Sequence, residues 1–463
     1  MTGIPANVTS FSTLETMRIL RYLMPAALLV AAGCDSTLAT EPVDRVPAEQ
    51  SIVDAPTARA ALVGAYDALQ ALSYYGRTFL VLGDLSADNA DHQGTFQYLG
   101  QVDRNQLQAD NTAVTNVWIA IYDAVSRVNL ILAKVPAVTG LTDAQKNQIL
   151  GEAHFLRALH YHNLAKFWGD VPMPLAPLDD PAAAAELTRT PRAGVYTQIL
   201  SDLTRAEQLM TTAKQARQAS LGAVRALRSR VMLYQENWQG ALDAANAVQA
   251  QSYSLAPAFE SLFSSEGVDT PEDIFRVSFT AVEYKEMGYY YLFDGRWEVA
   301  PTAALYAAYP ATDKRRPLTL GKDGSDYEGT KFPTTIGAED LHVIRFGEVL
   351  LTKAEALARL NRLAEAVTEY NKIRVRAGLA PHVLGTDVTT QAQVLDAIWT
   401  ERRLELALEG DRFPDLVRTG RAMTVLGLPS DRAFQLLYPG PSCFHPRRGA
   451  MMCPRPGTAN SFR

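Results

Sequence analysis

Cysteine is nearly missing from this chain of 463 residues: Cys34 lies near the start, and Cys443 and Cys453 near the end. The body between them therefore has no disulfide framework and no thiolate metal site, and its stability must come from packing. Long apolar runs are missing too. The longest, Leu23 to Ala32, is far short of the about twenty residues that cross a bilayer core, and no second candidate follows. The body has no basic cluster, and the formal net charge is −6. That argues against nucleic acid as a partner, because phosphates require a surface lined with Lys and Arg. There is no glycine-rich phosphate loop, nucleophile elbow, HExxH pair or Cys–His pairing. No catalytic residue, cofactor or metal is expected.

The start of the chain has an export pattern. Arg18 and Arg21 precede the apolar run, which closes on AAGC at Ala31 to Cys34. Small residues before a cysteine suit a lipoprotein signal, and the freed Cys34 thiol is the nucleophile that carries the lipid. Residues 1–33 are read as a signal peptide, with Met17 as the true start and 1–16 as an over-extension; a long polar leader is the alternative. Residues 34–54, polar and proline-containing, form a lipidated tether that holds the protein to a membrane through Cys34. Asp35, directly after the cysteine, bears on sorting between membranes.

From residue 55 the helical period dominates. Trp118, Tyr122, Val125, Asn129 and Leu132 recur at spacings of four and three, on a helix that ends near Pro136. Thr57 to Ser73, Gln145 to Trp168 and Val195 to Met210 read as further helices. Ala223 to Ala250 and Phe346 to Ala377 alternate small and large residues as tetratricopeptide-like helix pairs do. Between these pairs, residues 252–342 lose the pattern and form an irregular, loop-rich lobe with short strands such as Ile274 to Phe279. The tail, 440–463, has four prolines and four arginines and no acidic residue, and is expected to be a frame-shifted or disordered ending.

Aromatic density gives the best ligand signal. Eight aromatics fall within the 26 residues from Tyr284 to Tyr309, against 9% for the chain. Sugar rings pack their C–H faces on such side chains, and tyrosine hydroxyls reach sugar hydroxyls. The candidates are Tyr289, Tyr290, Tyr291 and Trp297, with burial in a satellite core as the competing role of any single ring. A second segment, Asp84 to Gln101, mixes rings with hydrogen-bonding groups and adds Asp88, Asn89, Phe96, Tyr98 and Gln101. His154, His160 and His162 scatter around their helix and read as packing residues. Glu401, Arg402, Glu405 and Glu409 form one helical stripe and read as an ion-pair network rather than paired catalytic carboxylates. Lys322 to Asp326, KDGSD, lacks the remaining ligands of a calcium loop and reads as a turn.

In GEAHFLRALHYHNLAKFWGDVPMPL, Gly151 to Leu175, an amphipathic helix with Leu156, Leu159, His160, Asn163 and Phe167 on one face meets Gly169 and a proline-rich exit at Pro172 and Pro174. This block, with VIRFGEVLLTKAEALARL at Val343 to Leu360 and ERRLELALEGDRFPDLVR at Glu401 to Arg418, resembles the SusD/RagB family of nutrient-binding outer-membrane lipoproteins. The resemblance covers 55–439. It implies a mainly α fold, an α-α superhelix of tetratricopeptide-like helix pairs with an irregular lobe. It also implies a non-enzymatic, outward-facing lipoprotein of the outer membrane, partnered by a SusC-like TonB-dependent β-barrel transporter, that captures an oligosaccharide or a peptide. In starch-binding members a ligand platform draws on the region of Asp84 to Gln101; the lack of tryptophan there speaks against starch. A periplasm-facing helical-repeat scaffold is one alternative; the other is a carbohydrate-active enzyme, which would need a pair of carboxylates in the aromatic cleft that the sequence does not offer.

Overall fold

Capping chemistry sets the first helices of the computed structural model. It describes residues 51–178, 186–264 and 268–428, so Cys34, the signal and the 440–463 tail lie outside the described residues. Helix α1, Ala55–Asp67, starts on a capping box in which Asp54 accepts from the Thr57 amide and Thr57 returns the bond. The short α2, Thr78–Leu85, is buried along its whole length. Strand β1, Ala90–His92, and helix α3, Gln97–Asp103, follow. Helix α4, Thr112–Lys134, is capped by Asn111, whose side chain accepts from the amides of Ala113 and Val114.

Helix α5, Asp143–Trp168, opens on a Thr142–Gln145 capping box and stops at Gly169, where φ is +71°. Only glycine enters that region without strain. The expected amphipathic helix is not what forms. From Gly151 to Trp168 every residue except His154 and Lys166 is buried, because α4 packs along one side of α5, α6 (Arg192–Leu209) along another, and α1 and α7 (Leu221–Tyr234) against the rest. The polar residues of a helix buried all round must then be paired inside the protein. Arg157 holds Asp202 of α6 through two bonds of 2.9 and 2.7 Å and reaches Asn129 of α4 at 3.1 Å. Asn129 in turn donates to the Pro174 carbonyl at 2.9 Å, and the Tyr161 hydroxyl donates to the same carbonyl. The arginine and the proline-rich exit thus belong to one structural device: a buried guanidinium that holds an extended segment against three helices.

The helix pairs form as expected. α7 lies on α8 (Trp238–Gln249), and α12 (Phe346–Arg359) lies on both α13 (Leu363–Arg376) and α14 (Gln391–Glu405). Small residues at the contacts, such as Ala241, Ala245, Ala354 and Ala366, are fully buried and allow close approach. The described residues end on the short helices α15, Arg412–Arg418, and α16, Ala422–Leu426.

Residues 252–342 contain only short elements. Strand β4, Asp273–Val277, pairs antiparallel with β8, Leu341–Arg345, which leads directly into α12. Strand β5, Val299–Pro301, pairs with β1 in the register Ala90↔Pro301 and His92↔Val299. Strands β6, Leu320–Asp323, and β7, Asp326–Gly329, form a hairpin whose tip is the KDGSD turn, with Gly324 at φ +57°. Among the described residues the lobe has no core of its own beyond the small Ala256, Phe259 and Leu262 cluster. Ile274, Phe275, Tyr290, Tyr291, Leu305, Tyr309 and Phe332 all join the main core.

The charged stripe at the end of α14 is a buried network, as its pattern predicts, with one correction. The helix ends at Glu405, and Leu408 and Gly410 follow at φ +65° and +79°, so Glu409 sits on a turn and not on the helical stripe. Glu405 faces Arg315 at 3.2 Å, together with Arg345 and Arg376. Glu401 meets Arg315 at 2.9 Å, and Glu409 meets Arg345 at 2.8 Å and Lys331 at 2.9 Å. Glu272 joins Arg345 and Arg376 at 3.0 and 2.8 Å and ties the lobe to the helices. The three histidines are internal: His154 contacts Asp202 at 2.7 Å, His160 contacts the Tyr74 hydroxyl at 3.0 Å, and His162 packs edge-on against Tyr234.

Candidate functional site

The β1–β5 pairing brings together the two aromatic segments that the sequence marks separately. Phe96 stacks on Tyr98, with centroids 5.2 Å apart and planes 17° apart, and lies 6.3 Å from Tyr290. Tyr289 sits edge-on to Tyr290 at 6.1 Å, and Phe293 meets Trp297 at 5.2 Å. Tyr289 and Phe293 are exposed, while Phe96, Tyr98 and Trp297 are half-buried. The arrangement is a shallow aromatic face with polar groups at its edge.

Three residues that sequence reasoning passed over hold this face together. Arg296 lies 4.0 Å above the Phe96 ring and donates to the Thr95 hydroxyl at 3.1 Å, a contact across 201 residues of chain. Glu298, almost completely buried, accepts from Arg296 at 2.7 Å and from the Phe96 amide at 3.2 Å. Burial pushes its carboxyl up, but the Phe96 amide and Arg296 outweigh that and hold it below the usual range, as an anion. Gly94 leaves room for that carboxylate, since a Cβ there would lie 2.0 Å from its oxygen. Arg77 covers the Tyr290 ring at 4.3 Å and is ion-paired to Glu286. Arg296 and Glu298 flank Trp297 and pair with each other, and the opposite charges two residues apart were visible in the sequence.

Trp297 adopts φ +49°, an uncommon conformation for a bulky side chain that costs on the order of 1–3 kcal/mol. Its indole N–H donates to the Tyr327 carbonyl at 2.9 Å, which fixes the ring beside the β6–β7 hairpin.

The other candidates have structural work. Tyr291 is fully buried, with its ring against Gly329, and cannot meet a ligand. Tyr290 is nearly buried, and burial pushes its phenol up so that it stays neutral. Asp88 is bound by Arg412 at 2.6 and 3.0 Å and by Arg403 at 2.9 Å. Asn89, also buried, accepts from Arg403 at 2.9 Å and donates to Asp84 at 3.3 Å. Gln101 accepts from Asn111 at 2.8 Å. These three polar residues anchor the β1 region to the helical body instead of facing outward. Two grooves of about 350 and about 410 Å³ run along α1 and the turn near Glu283; of the clustered aromatics they include Tyr284 alone. Among the described residues no His, Cys, Asp and Glu grouping could hold a metal ion.

The fold and this face can be set beside known proteins. A model described as "SusD family" matches residues 322–433, and one described as "Starch-binding associating with outer membrane" matches residues 43–233. The chain is thus similar to SusD-family proteins in two separate blocks. A SusD-like protein of Formosa agariphila is 27% identical, over 88% of this chain and 92% of that protein. A SusD-like protein of Bacteroides ovatus is 23% identical, over 86% of this chain and 82% of that one. Among solved structures, a SusD superfamily protein from Bacteroides vulgatus superposes with a TM-score of 0.73 at 22% identity, covering 82% of this chain and 91% of the other. A laminarin binding SusD-like protein also gives 0.73, at 23% identity, covering 88% of this chain and all of the other. These likenesses establish the mainly α SusD fold, and SusD-family proteins bind their ligands and do not turn them over.

Proposed function

We propose that this protein captures an oligosaccharide on the face formed by Phe96, Tyr98, Tyr289, Phe293, Arg296 and Trp297 and passes it to a SusC-like TonB-dependent transporter. The observation that carries this reading is the convergence of two aromatic segments, from opposite halves of the chain, on one exposed surface of a SusD-like protein. Stacked rings offer flat apolar contacts, while Arg296 and the tyrosine hydroxyls supply donors at the edge, the combination a sugar requires. The match to a family described as starch-binding and outer-membrane-associated, and the laminarin binding neighbour, point to the same ligand class. The Cys34 lipid would hold the protein to the outer membrane facing outward, with 34–54 as tether, 55–439 as binding body and 440–463 as a dispensable tail. Transport energy comes from the transporter, so capture needs no catalytic group.

Two measurements test this reading. Glycan-array screening followed by calorimetry of a hit is expected to show Kd rising about 2- to 10-fold for Tyr289→Ala and for Phe96→Ala, the range of one aromatic contact of about 0.5–1.5 kcal/mol. Unchanged affinity in both variants would move the site elsewhere. Affinity purification from detergent-solubilised outer membranes is expected to recover a large TonB-dependent barrel. Recovery of periplasmic proteins alone would favour a scaffold, and binding of peptides but no glycan would favour a peptide-capturing member.

A further inference from the structure

Next to Trp297, Lys322 on the β6–β7 hairpin and Arg316 on the short helix Arg316–Thr319 that leads into it are two cations with no carboxylate partner among the described residues. Arg316 lies 5.1 Å over the Tyr306 ring, and Lys322 lies 5.5 Å from Tyr306 and 5.4 Å from Tyr327; the two tyrosines are 5.1 Å apart. Among the described residues neither cation forms an ion pair. The Arg316 guanidinium donates only to the Ala311 carbonyl at 3.3 Å, and Lys322 is exposed. The neighbouring Arg315 is fully occupied by Asp313, Glu401 and Glu405.

Strand alternation keeps acids off this patch. Lys322 pairs with Tyr327, so the two share one face of the hairpin, whereas Gly321↔Glu328 and Asp323↔Asp326 define the other. Glu328 is directed away, accepting from the Phe293 amide at 2.8 Å. The tyrosine rings hold both cations in place, which lowers the ordering cost of binding an anion. The Tyr327 carbonyl also receives the Trp297 indole, so the patch continues the aromatic face described above.

We propose that Arg316, Lys322, Tyr306 and Tyr327 form a subsite for an acidic sugar, one bearing a carboxylate or a sulfate ester. The inference rests on the carbohydrate reading and narrows its ligand class. Charged hydrogen bonds from Lys322 and Arg316 would take the anionic group, and the tyrosine hydroxyls would meet neighbouring sugar hydroxyls.

The test is calorimetric titration of the wild-type protein, Lys322→Gln and the Lys322→Gln/Arg316→Gln pair with a neutral β-glucan oligosaccharide, an oligogalacturonate and a sulfated galactan oligosaccharide. At least one acidic ligand should bind wild type more tightly than the neutral one, and its affinity should fall about 5- to 10-fold in the double variant. Neutral-glycan affinity should not change. Which acidic ligand responds distinguishes carboxylate from sulfate. Acidic ligands binding no better than the neutral one, or binding equally to the double variant, would overturn the proposal and leave the carbohydrate reading standing. Failure of all three to bind wild type would count against that reading itself. Lys322 is exposed, so its single variant reports on the subsite even if loss of Arg316 disturbs folding.

Discussion

Replacing Glu405 with glutamine isolates the cost of a buried charge network. Its carboxylate is fully buried and faces three guanidinium groups, Arg315, Arg345 and Arg376, that are equally buried. Glutamine keeps the shape but withdraws the negative charge, leaving three cations whose other partners are Asp313, Glu401, Glu409 and Glu272. Breaking such a set from one side costs about 3–5 kcal/mol, because the charge left behind cannot be rehydrated. With roughly 370 described residues and about 2.1 cal/mol/K of unfolding entropy for each, about 4 kcal/mol becomes a fall in Tm of about 5 °C. Thermal melting by circular dichroism at pH 7 measures it. The difference should also depend on pH. Burial pushes the Glu405 carboxyl up, but Arg376, Arg345 and Arg315 outweigh that and hold it well below its ordinary 4.5. Between those two values the unfolded chain carries a proton that the folded chain does not. The stabilisation is therefore complete above pH 4.5 and is lost as pH falls through the depressed folded value. The gap between wild type and variant should shrink in acid. A shift under about 1 °C at pH 7, with the fold retained, would refute the claim that these pairs are desolvated. Glu365→Gln, which breaks the exposed Arg362–Glu365 pair, is the control and should not change the melt.

Asp84 should show the opposite pH dependence. Burial raises its carboxyl to about 7, against the pull of Asn89 and the Gly410 amide, so its contribution is full below pH 3.8 and is lost as pH rises through about 7. Urea midpoints for Asp84→Asn and wild type should diverge between pH 4 and pH 8 by up to roughly 4 kcal/mol in the variant's favour; parallel profiles would show that Asp84 is hydrated. Gly83→Ala should destabilise by about 1–3 kcal/mol or more, since its Cβ would stand 1.9 Å from the Gly410 carbonyl oxygen. Gly64→Ala on exposed α1, whose Cβ would find only Arg127 at 3.8 Å, should be neutral or stabilising by up to about 1 kcal/mol in the same denaturation assay.

Helices were legible where local chemistry decides them. The Trp118 to Leu132 stripe, the small-residue pairs and the Gly169 stop each state their outcome in a few adjacent residues. The nature of α5 was not legible. Arg157 looks like a solvent-facing residue until Asn129 of α4, Asp202 of α6 and the Leu175 carbonyl close on it, and no local pattern reports a helix buried on every side. The site was half legible for a related reason. Composition marks a ring-rich segment but not which rings turn inward, and Tyr291 and Tyr289 differ only in position along one short helix. Asp88 and Asn89 read as ligand groups because their partners, Arg403 and Arg412, lie more than 300 residues away. Long-range ion pairing of this kind leaves no periodic trace.

The network and the aromatic face make different demands on the same body. Buried pairs at Glu272, Glu401, Glu405 and Glu409 bind the lobe to α12–α14 and leave those arginines no free charge for a ligand. The cations without a carboxylate partner lie instead on the hairpin, at exposed Lys322, and on the helix before it, at half-buried Arg316, where tyrosine rings position them. Trp297 belongs to this second group: its strained backbone persists because Phe293, the Tyr327 carbonyl and the adjoining Glu298 anchor together determine its place. On the proposed reading a ligand would meet a surface already ordered before binding, which reduces the entropy cost of capture. Tyr289 and Lys322 project from that surface without supporting the core beneath it. Substitution at Tyr289 or Lys322 should therefore change binding without changing stability, whereas substitution at Glu405 tests stability alone.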